Sequence, residues 1–214
     1  MKNTQRVVEL PFRVKRVRSL DELNSVARIR QQAYGRHLPK FAQSLASPEL
    51  ADFETDTVVL LATAKQDNAP LATMRIHTNH NKPLPLEQAV TLPEAMCSTS
   101  LAEAVRFSVV SGRSGGGGLV RNVLFKAFYL ICVATRIDWM VICARSPLHK
   151  LYHKLLFEDI FPDGSAVILP YVHNIPHRVL KLRVSQVRPL WGETNHPLFN
   201  FFFDTNHPDL EEVF

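Results

Sequence analysis

Apolar residues recur along this chain at two spacings, every second position and every third or fourth. "VVELPFRVKRV" alternates well enough to predict a first strand, broken at Pro11. Ser19 and Glu22 then stand three apart, ahead of a helical row of Leu23, Val26, Ile29 and Ala33. That is a capping box opening a helix, which should fade at Gly35, before Pro39. Residues 39–56 are irregular. "TVVLLATA", the turn "KQDNAP" and "LATMRIHT" predict a hairpin. Residues 79–100 are a long connection with room for a short helix. There follow a strand "LAEAVRFSVV", a loop "SGRSGGGG", an apolar helix "LVRNVLFKAFYLICVATR" and a buried strand "IDWMVICA". "SPLHKLYHKLLF" reads as a helix with Pro147 at a permitted early position. "AVILPYV" and "RVLKLRVSQV" read as two more strands, and the aromatic tail "HPLFNFFFDTNHPDLEEVF" is expected to pack on the body. This order, without repeats or a long linker, predicts one α/β domain over residues 1–214. A mostly antiparallel sheet should lie at its centre, flanked by helices.

Composition narrows the function classes. The chain has 214 residues, 46% of them hydrophobic, enough for one sizeable core. The net charge is +5. Its positive residues are scattered apart from Arg13, Lys15, Arg16 and Arg18, which suit a solvated strand edge. No basic stripe with interleaved aromatics is present, so nucleic acid is not an expected partner. Cys97, Cys132 and Cys143 form no Cys-x-x-Cys pair, and their odd number argues for a reducing compartment. Cys132 and Cys143 lie in apolar runs, where a thiol acts as a small hydrophobe. The first residues lack a signal-peptide core. The longest apolar run, "VLFKAFYLICVA", carries Lys126 and is short for a bilayer span. A cytoplasmic protein without an integral membrane segment is expected.

Three groups of residues invite chemistry. Gly115 to Gly118 are half of the eight glycines and precede a helix. Glycine admits close approach of a ligand, and a helix N-terminus offers free N–H groups to a phosphate. Arg113, Gly116 and Gly118 would form that cradle, although a plain surface turn has the same composition. Glu103 and Arg106 interrupt an apolar strand, as an ion pair or as a site. Residues three apart on a regular strand face opposite ways, so a shared site requires a bulge between them or a Glu103 that precedes the regular strand. Arg75 interrupts the preceding strand, and one of Asp52, Glu54 and Asp56 is expected to pair with Arg75 or Arg106. His149 and His153 are four apart on a helix but find no third ligand. They are expected at the surface, and no metal is expected.

These pieces resemble a family. Strand, glycine loop, helix, strand and helix resemble the cofactor-binding core of the GNAT acyltransferases. "LYHKLLFED" resembles their Tyr-x-x-x-Gly-Phe segment, with Leu156 where glycine is usual. "LAEAVRF" resembles the Glu-x-x-Arg-Phe strand of acyl-homoserine lactone synthases and the related N-acyl amino acid synthases, and "LATMRI" their arginine-bearing strand. "RIRQQAYGRHLP", "FKAFYLICVATRIDWMVICARSPLHKLY" and "NIPHRVLKLRV" look closer to the N-acyl amino acid synthases. The resemblance spans about residues 20–185.

It implies a GNAT-like fold and no tightly bound cofactor. It implies a long-chain acyl thioester of phosphopantetheine, on acyl carrier protein or CoA, as co-substrate, and an amino acid such as tyrosine as acceptor. Glu103 would act near the amine. Arg106, Arg75 and Arg30 would form the charged network, with Asp56 among the substrate-binding groups. N–H groups near Val109 and Val110 would hold the carbonyl oxygen. Arg113, Gly116 and Gly118 would hold phosphate, and Tyr152 would protonate the leaving thiol. "HLPKF" lacks the tryptophan of the lactone synthases, and Asp52 and Asp56 are spaced unlike their acidic pair. A lactone synthase acting on S-adenosylmethionine is therefore an alternative, as is an acetyl-CoA-using GNAT enzyme acting on a small amine or a protein.

Overall fold

The alternating runs join one sheet, and the helical runs cover its two faces. The computed structural model describes residues 6–110, 117–172 and 174–214. Its first half contains β1 (Arg6–Val7), β2 (Phe12–Arg16), α1 (Leu20–Gly35), α2 (Pro39–Ser44), β3 (Thr57–Ala64), β4 (Pro70–Thr78), α3 (Pro85–Ala89) and β5 (Leu101–Val109). Then come α4 (Gly117–Ala134), β6 (Trp139–Ala144), α5 (His149–His153), β7 (Glu158–Asp159), β8 (Val167–Leu169) and β9 (Ile175–Arg183). The chain closes with α6 (Val184–Glu193), α7 (Phe199–Phe203) and β10 (Thr205–Asn206). Strands neighbour one another in the order β2-β3-β4-β5-β6-β9-β7, with β8 also on β9. Every neighbouring pair in this sheet is antiparallel except β5 with β6. β1 and β10 form a separate parallel pair.

Side-chain alternation assigns the two faces. Ala72, Met74, Ile76, Ala102, Ala104, Met140 and Ile142 meet Val123, Leu124, Ala127 and Phe128 of α4 in the main core. Val59 and Leu61 meet Leu23, Val26 and Ile29 of α1 on the other face. Leu101, Val141 and Val179 meet Leu84, Leu86, Met96, Ile160 and Leu169 there. The long connection after β4 thus forms part of that second layer. α1 starts as its sequence dictates: Ser19 Oγ accepts from the Glu22 amide at 3.3 Å, and Glu22 accepts from the Ser19 amide at 3.2 Å.

α4 is longer than the apolar run that marks it. Its 18 residues suffice, by length and composition, to cross a membrane. Here half of it is buried against the sheet. Its buried Lys126 donates to the carbonyls of Phe201, at 2.8 Å, and Thr205. That bond ties α4 to the aromatic C-terminal segment, whose Trp191, Phe202 and Phe203 enter the main core.

Several boundaries depart from the sequence pattern. "RVLKLRVSQV" is not all strand: β9 stops at Arg183 and α6 begins at Val184. The apolar residues there serve both periods, so the pattern does not mark the switch. The helix in "SPLHKLYHKLLF" is only five residues, His149–His153, and Pro147 precedes it. "AVILPYV" holds a three-residue strand and then a 3-10 turn.

Leu156 has φ +63°, so the position where glycine is usual in the resembling segment is left-handed here too. A leucine there carries about 1–2 kcal/mol of backbone strain. Its half-buried side chain, which packs on the main core, returns about as much. Leu156→Gly should therefore unfold in urea within about 1 kcal/mol of the parent. Leu155→Ala, at the adjacent buried residue, should lose about 2–5 kcal/mol. Equal losses for the two variants would show that the backbone at Leu156 is unstrained.

Candidate functional site

The register of β4 and β5 breaks at one place. Arg75 lies opposite Val105 and Thr73 opposite Ser108, so Arg106 and Phe107 together face Met74. This is a β-bulge, and Arg106 takes the left-handed conformation with φ +53°. The bulge meets the condition that alternation set. Arg106 turns toward the face that carries Glu103, and both line one cavity. A bulge also bends its strand. The parallel pairing of β5 with β6 runs from Leu101↔Trp139 to Ala104↔Ile142 and stops, although both strands continue.

Glu49, in the turn before β3, is the hub of the charges. Its carboxylate takes a bidentate pair from Arg106, Nη2 to Oε1 at 2.8 Å and Nε to Oε2 at 2.9 Å. It also lies 3.1 Å from Arg75 Nη1 and 3.4 Å from Arg30 Nη1. Asp52 pairs with Arg30 at 2.8 Å and with Arg75 at 3.1 Å. Burial pushes both carboxyls up, but the guanidiniums outweigh it and hold them below the usual carboxylate range. Three guanidiniums against two carboxylates leave the cluster with a net positive charge.

Glu103 sits beside this cluster without an ion pair. It is fully buried; Oε1 accepts from the Tyr171 hydroxyl at 3.2 Å, and Oε2 has no hydrogen-bond partner among the described residues. Burial raises its carboxyl to about 7, against the smaller opposing effects of Cys143, Tyr171, Arg75 and Arg106. His77, its register partner on β4, shares a 2.9 Å hydrogen bond with Thr57. Burial, then Arg75, lowers that imidazole to about 4, so it is neutral near pH 7.

Two cavities meet at the Glu103–Arg106 segment. One, of about 260 Å³, opens where β5 and β6 part. Phe107, Ser108, Cys143 and Tyr152 line its strand end, and Tyr34, Leu38 and Phe41 its far side. The other, of about 310 Å³, holds Arg75, His77, Lys82, Asp56 and Tyr171 in its wall. Glu103 and Arg106 line both. A carboxyl balanced between its two protonation states near neutrality is a suitable proton acceptor in such a position.

The expected residues therefore divide. Glu103, Arg106, Arg75 and Arg30 converge, and Tyr152 lines the first cavity, where burial keeps its phenol protonated. Asp52 is the acid that pairs with Arg75. Asp56 does not reach the arginines. It accepts from the backbone and side chain of Asn81 at the rim of the second cavity. Val110 is corrected, because its N–H donates to the Leu71 carbonyl at 2.8 Å and is spent on β4. Alternation along an antiparallel ladder then turns the Val109 N–H away from β4. Neither valine lines the cavity; Phe107 and Ser108 do. Arg113 and Gly116 lie outside the described residues. Gly118 is exposed in the first turn of α4, and a Cβ there would meet only Arg121 Nη2, at 4.0 Å. The fold itself thus does not require glycine at that position.

His149 is buried rather than at the surface, and His153 lies 3.0 Å from Asp159. Among the described residues no group of three or more His, Cys, Asp or Glu could hold a metal ion. Glu49, His77, Cys143 and Tyr171 were not singled out from the sequence as site residues. The Glu49-x-x-Asp52 spacing, that of a capping box, and the place of His77 two residues after Arg75 on a strand were the available signals. Cys143 packs as a hydrophobe but also lies 3.5 Å from the Tyr171 hydroxyl.

No protein-family model matches the sequence, and no curated protein matches it. Solved structures do. FeeM, an N-acyl amino acid synthase from uncultured soil microbes, superposes with TM-score 0.65 at 17% identity, over 89% of this chain and 97% of that one. BjaI, a CoA-dependent acyl-homoserine lactone synthase, does so with TM-score 0.58 at 13% identity, over 94% and 98%. An acyl-CoA N-acyltransferase from Pseudomonas aeruginosa gives 0.51 at 16%, over 79% and 97%. At such identities the likeness shows the fold: a GNAT-like α/β fold, its mixed sheet flanked by helices.

The raised Glu103 carboxyl has a consequence for stability. The folded protein holds this proton up to about pH 7, whereas an unfolded glutamate releases it near 4.5. Stability from this group is therefore full below 4.5 and is lost as pH rises toward 7. Glu103→Gln does not titrate there. Relative to wild type, it should gain about 3 kcal/mol between pH 4 and pH 8, read from urea midpoints. A pH-independent difference would show that Glu103 ionises as an ordinary glutamate.

Proposed function

We propose that the chain is one acyltransferase domain that moves a long-chain acyl group from a phosphopantetheine thioester to the amine of an amino acid such as tyrosine. The observation that carries this reading is the buried Glu103, poised near neutrality in the wall shared by two cavities. The opening between β5 and β6 takes the thioester, and its Tyr34, Leu38, Phe41, Leu148 and Leu151 suit the apolar start of an acyl chain. The second cavity takes the acceptor, whose carboxylate is met by Arg75 and Arg106 in a wall they share with Glu49, Glu54 and Asp56. Its likeness to FeeM supports an amino-acid acceptor.

Glu103 accepts a proton from the bound amine, whose nitrogen attacks the thioester carbonyl. The backbone of β5 just past the bulge, where Phe107 and Ser108 line the cavity, holds the resulting oxyanion. The C–S bond then breaks, the amide forms, and the thiolate takes a proton from Tyr152, which regains one from solvent as Glu103 releases the amine's proton to solvent. An amine that enters as ammonium releases its extra proton to solvent as well. Arg113, Gly116 and Gly118 remain the candidates to hold the donor's phosphate, Gly118 being the one of them in the described first turn of α4. An acyl carrier protein is the proposed donor, with CoA the alternative.

Two assays test this. Cells producing the protein should accumulate N-acyl amino acids, detected by mass spectrometry of lipid extracts, and cells producing Glu103→Gln should not. In vitro, Glu103→Gln should lower turnover about a hundredfold or more. A fall of less than about threefold would remove Glu103 as the base. Transfer of acetyl alone, with long-chain donors inert, would move the protein to the small-acyl class.

A further inference from the structure

Tyr171 lies on a 3-10 turn, Pro170–Val172, between β8 and β9. The turn crosses the face of the sheet that carries Glu103, and sets the Tyr171 hydroxyl between two strands. That hydroxyl is 3.2 Å from Glu103 Oε1 on β5 and 3.5 Å from Cys143 Sγ on β6. Three elements thus bring three protic groups together at the junction of the cavities. Glu103 and Tyr171 line the acceptor side, and Glu103 and Cys143 the thioester side.

Hydrogen counting gives the contact a direction. An ionised carboxylate only accepts, so the phenol must donate to Oε1. The phenol oxygen is then free to accept from the Cys143 thiol, which burial keeps protonated. Oε2 is left bare and buried, without a hydrogen-bond partner among the described residues. The two oxygens of Glu103 are therefore inequivalent before any substrate arrives.

We propose that Tyr171 is a positioning residue: it occupies Oε1 of Glu103, backed by the Cys143 thiol, and so presents Oε2 as the atom that takes the amine's proton. The inference rests on Glu103 being the base. The same bond favours the ionised carboxylate and lowers the pH at which the base becomes active. The other ionisable groups facing Glu103 are His77 and Arg75 on β4 and Arg106 on its own strand. His77 has lost its proton by about pH 5 and the arginines keep theirs; His37 and His177 also line the thioester cavity, so the limb is assigned to Glu103 by the carboxyl titration that disappears in Glu103→Gln.

Tyr171→Phe keeps the ring and removes the donor. Two readouts separate its role from mere packing. One is the pH dependence of kcat/KM with a long-chain acyl-CoA or acyl carrier protein and tyrosine. The other needs no substrate: infrared titration of the carboxyl C=O stretch that disappears in Glu103→Gln. Tyr171→Phe should move both midpoints to higher pH by about one pH unit, with the loss in kcat/KM recovering in alkaline buffer. Midpoints coinciding with wild type would overturn the proposal. Should Tyr171→Phe fail to fold, Cys143→Ala, which removes a thiol that acts on Glu103 itself as well as on Tyr171, should move the limb the same way by at least as large a step, and an unmoved limb there would also overturn it. Full activity in Glu103→Gln would instead sink the base assignment itself, while an inactive Glu103→Gln with an unmoved Tyr171→Phe profile would reject only the role of Tyr171.

Discussion

The bidentate pair between Glu49 and Arg106 is the interaction on which the site depends. Arg106 is held at φ +53°, a conformation that carries about 1–2 kcal/mol of strain for an L-residue. A bulge at such a residue persists when its side chain is anchored, and Glu49 anchors it with two charge-assisted bonds. The same carboxylate also faces Arg75 and Arg30, so three elements, α1, β4 and β5, are pinned to one turn. Breaking a buried network of this kind leaves uncompensated charge, which is why the turn before β3 must keep its place.

Two consequences follow from the bulge. It breaks alternation along β5, so Glu103 and Arg106 line one cavity although they stand three positions apart. It also bends β5 where the pairing with β6 ends, and the first cavity opens at that point. Glu103 then stands among groups that neither pair with it as ions nor expose it to water. Its perturbed carboxyl follows from that exclusion, because burial is the largest influence on it. The arginine cluster is the complement: its carboxylates are held ionised so that its guanidiniums can remain buried.

Much of this was legible in the sequence, and what was not has physical reasons. α1, the β3–β4 hairpin, β5, α4 and β6 follow from apolar spacing and a capping box, because the helices bury one continuous face and the strands are short apolar runs buried on both. Glu103, Arg75 and Arg106 were visible as charges in apolar strands, and alternation made an irregular strand the condition for Glu103 and Arg106 to share a site. The irregular stretch before β3 hid Glu49, since no period marks which acid of a loop turns inward. Asp56 looked equivalent to Asp52 but is claimed by Asn81. Tyr171 was hidden for a different reason: its partner lies 68 positions away, and only the fold of the segment between β7 and β9 brings them together. Val110 failed as an oxygen-binding group because the ladder to β4 runs one residue further than the strand's edge suggests.

The central claim is that the bulged segment of β5 divides an acyl-thioester cavity from an acceptor cavity. A crystal structure with a non-hydrolysable 2-oxoalkyl thioether of pantetheine, which keeps the carbonyl, tests it most directly. The account requires the carbonyl of the analogue between the parted ends of β5 and β6, beside Phe107 and Ser108. Its chain should run toward Tyr34 and Phe41, with the second cavity left empty for an amine beside Glu103. An analogue bound in the cavity of Arg75 and His77, or away from β5 altogether, would contradict it.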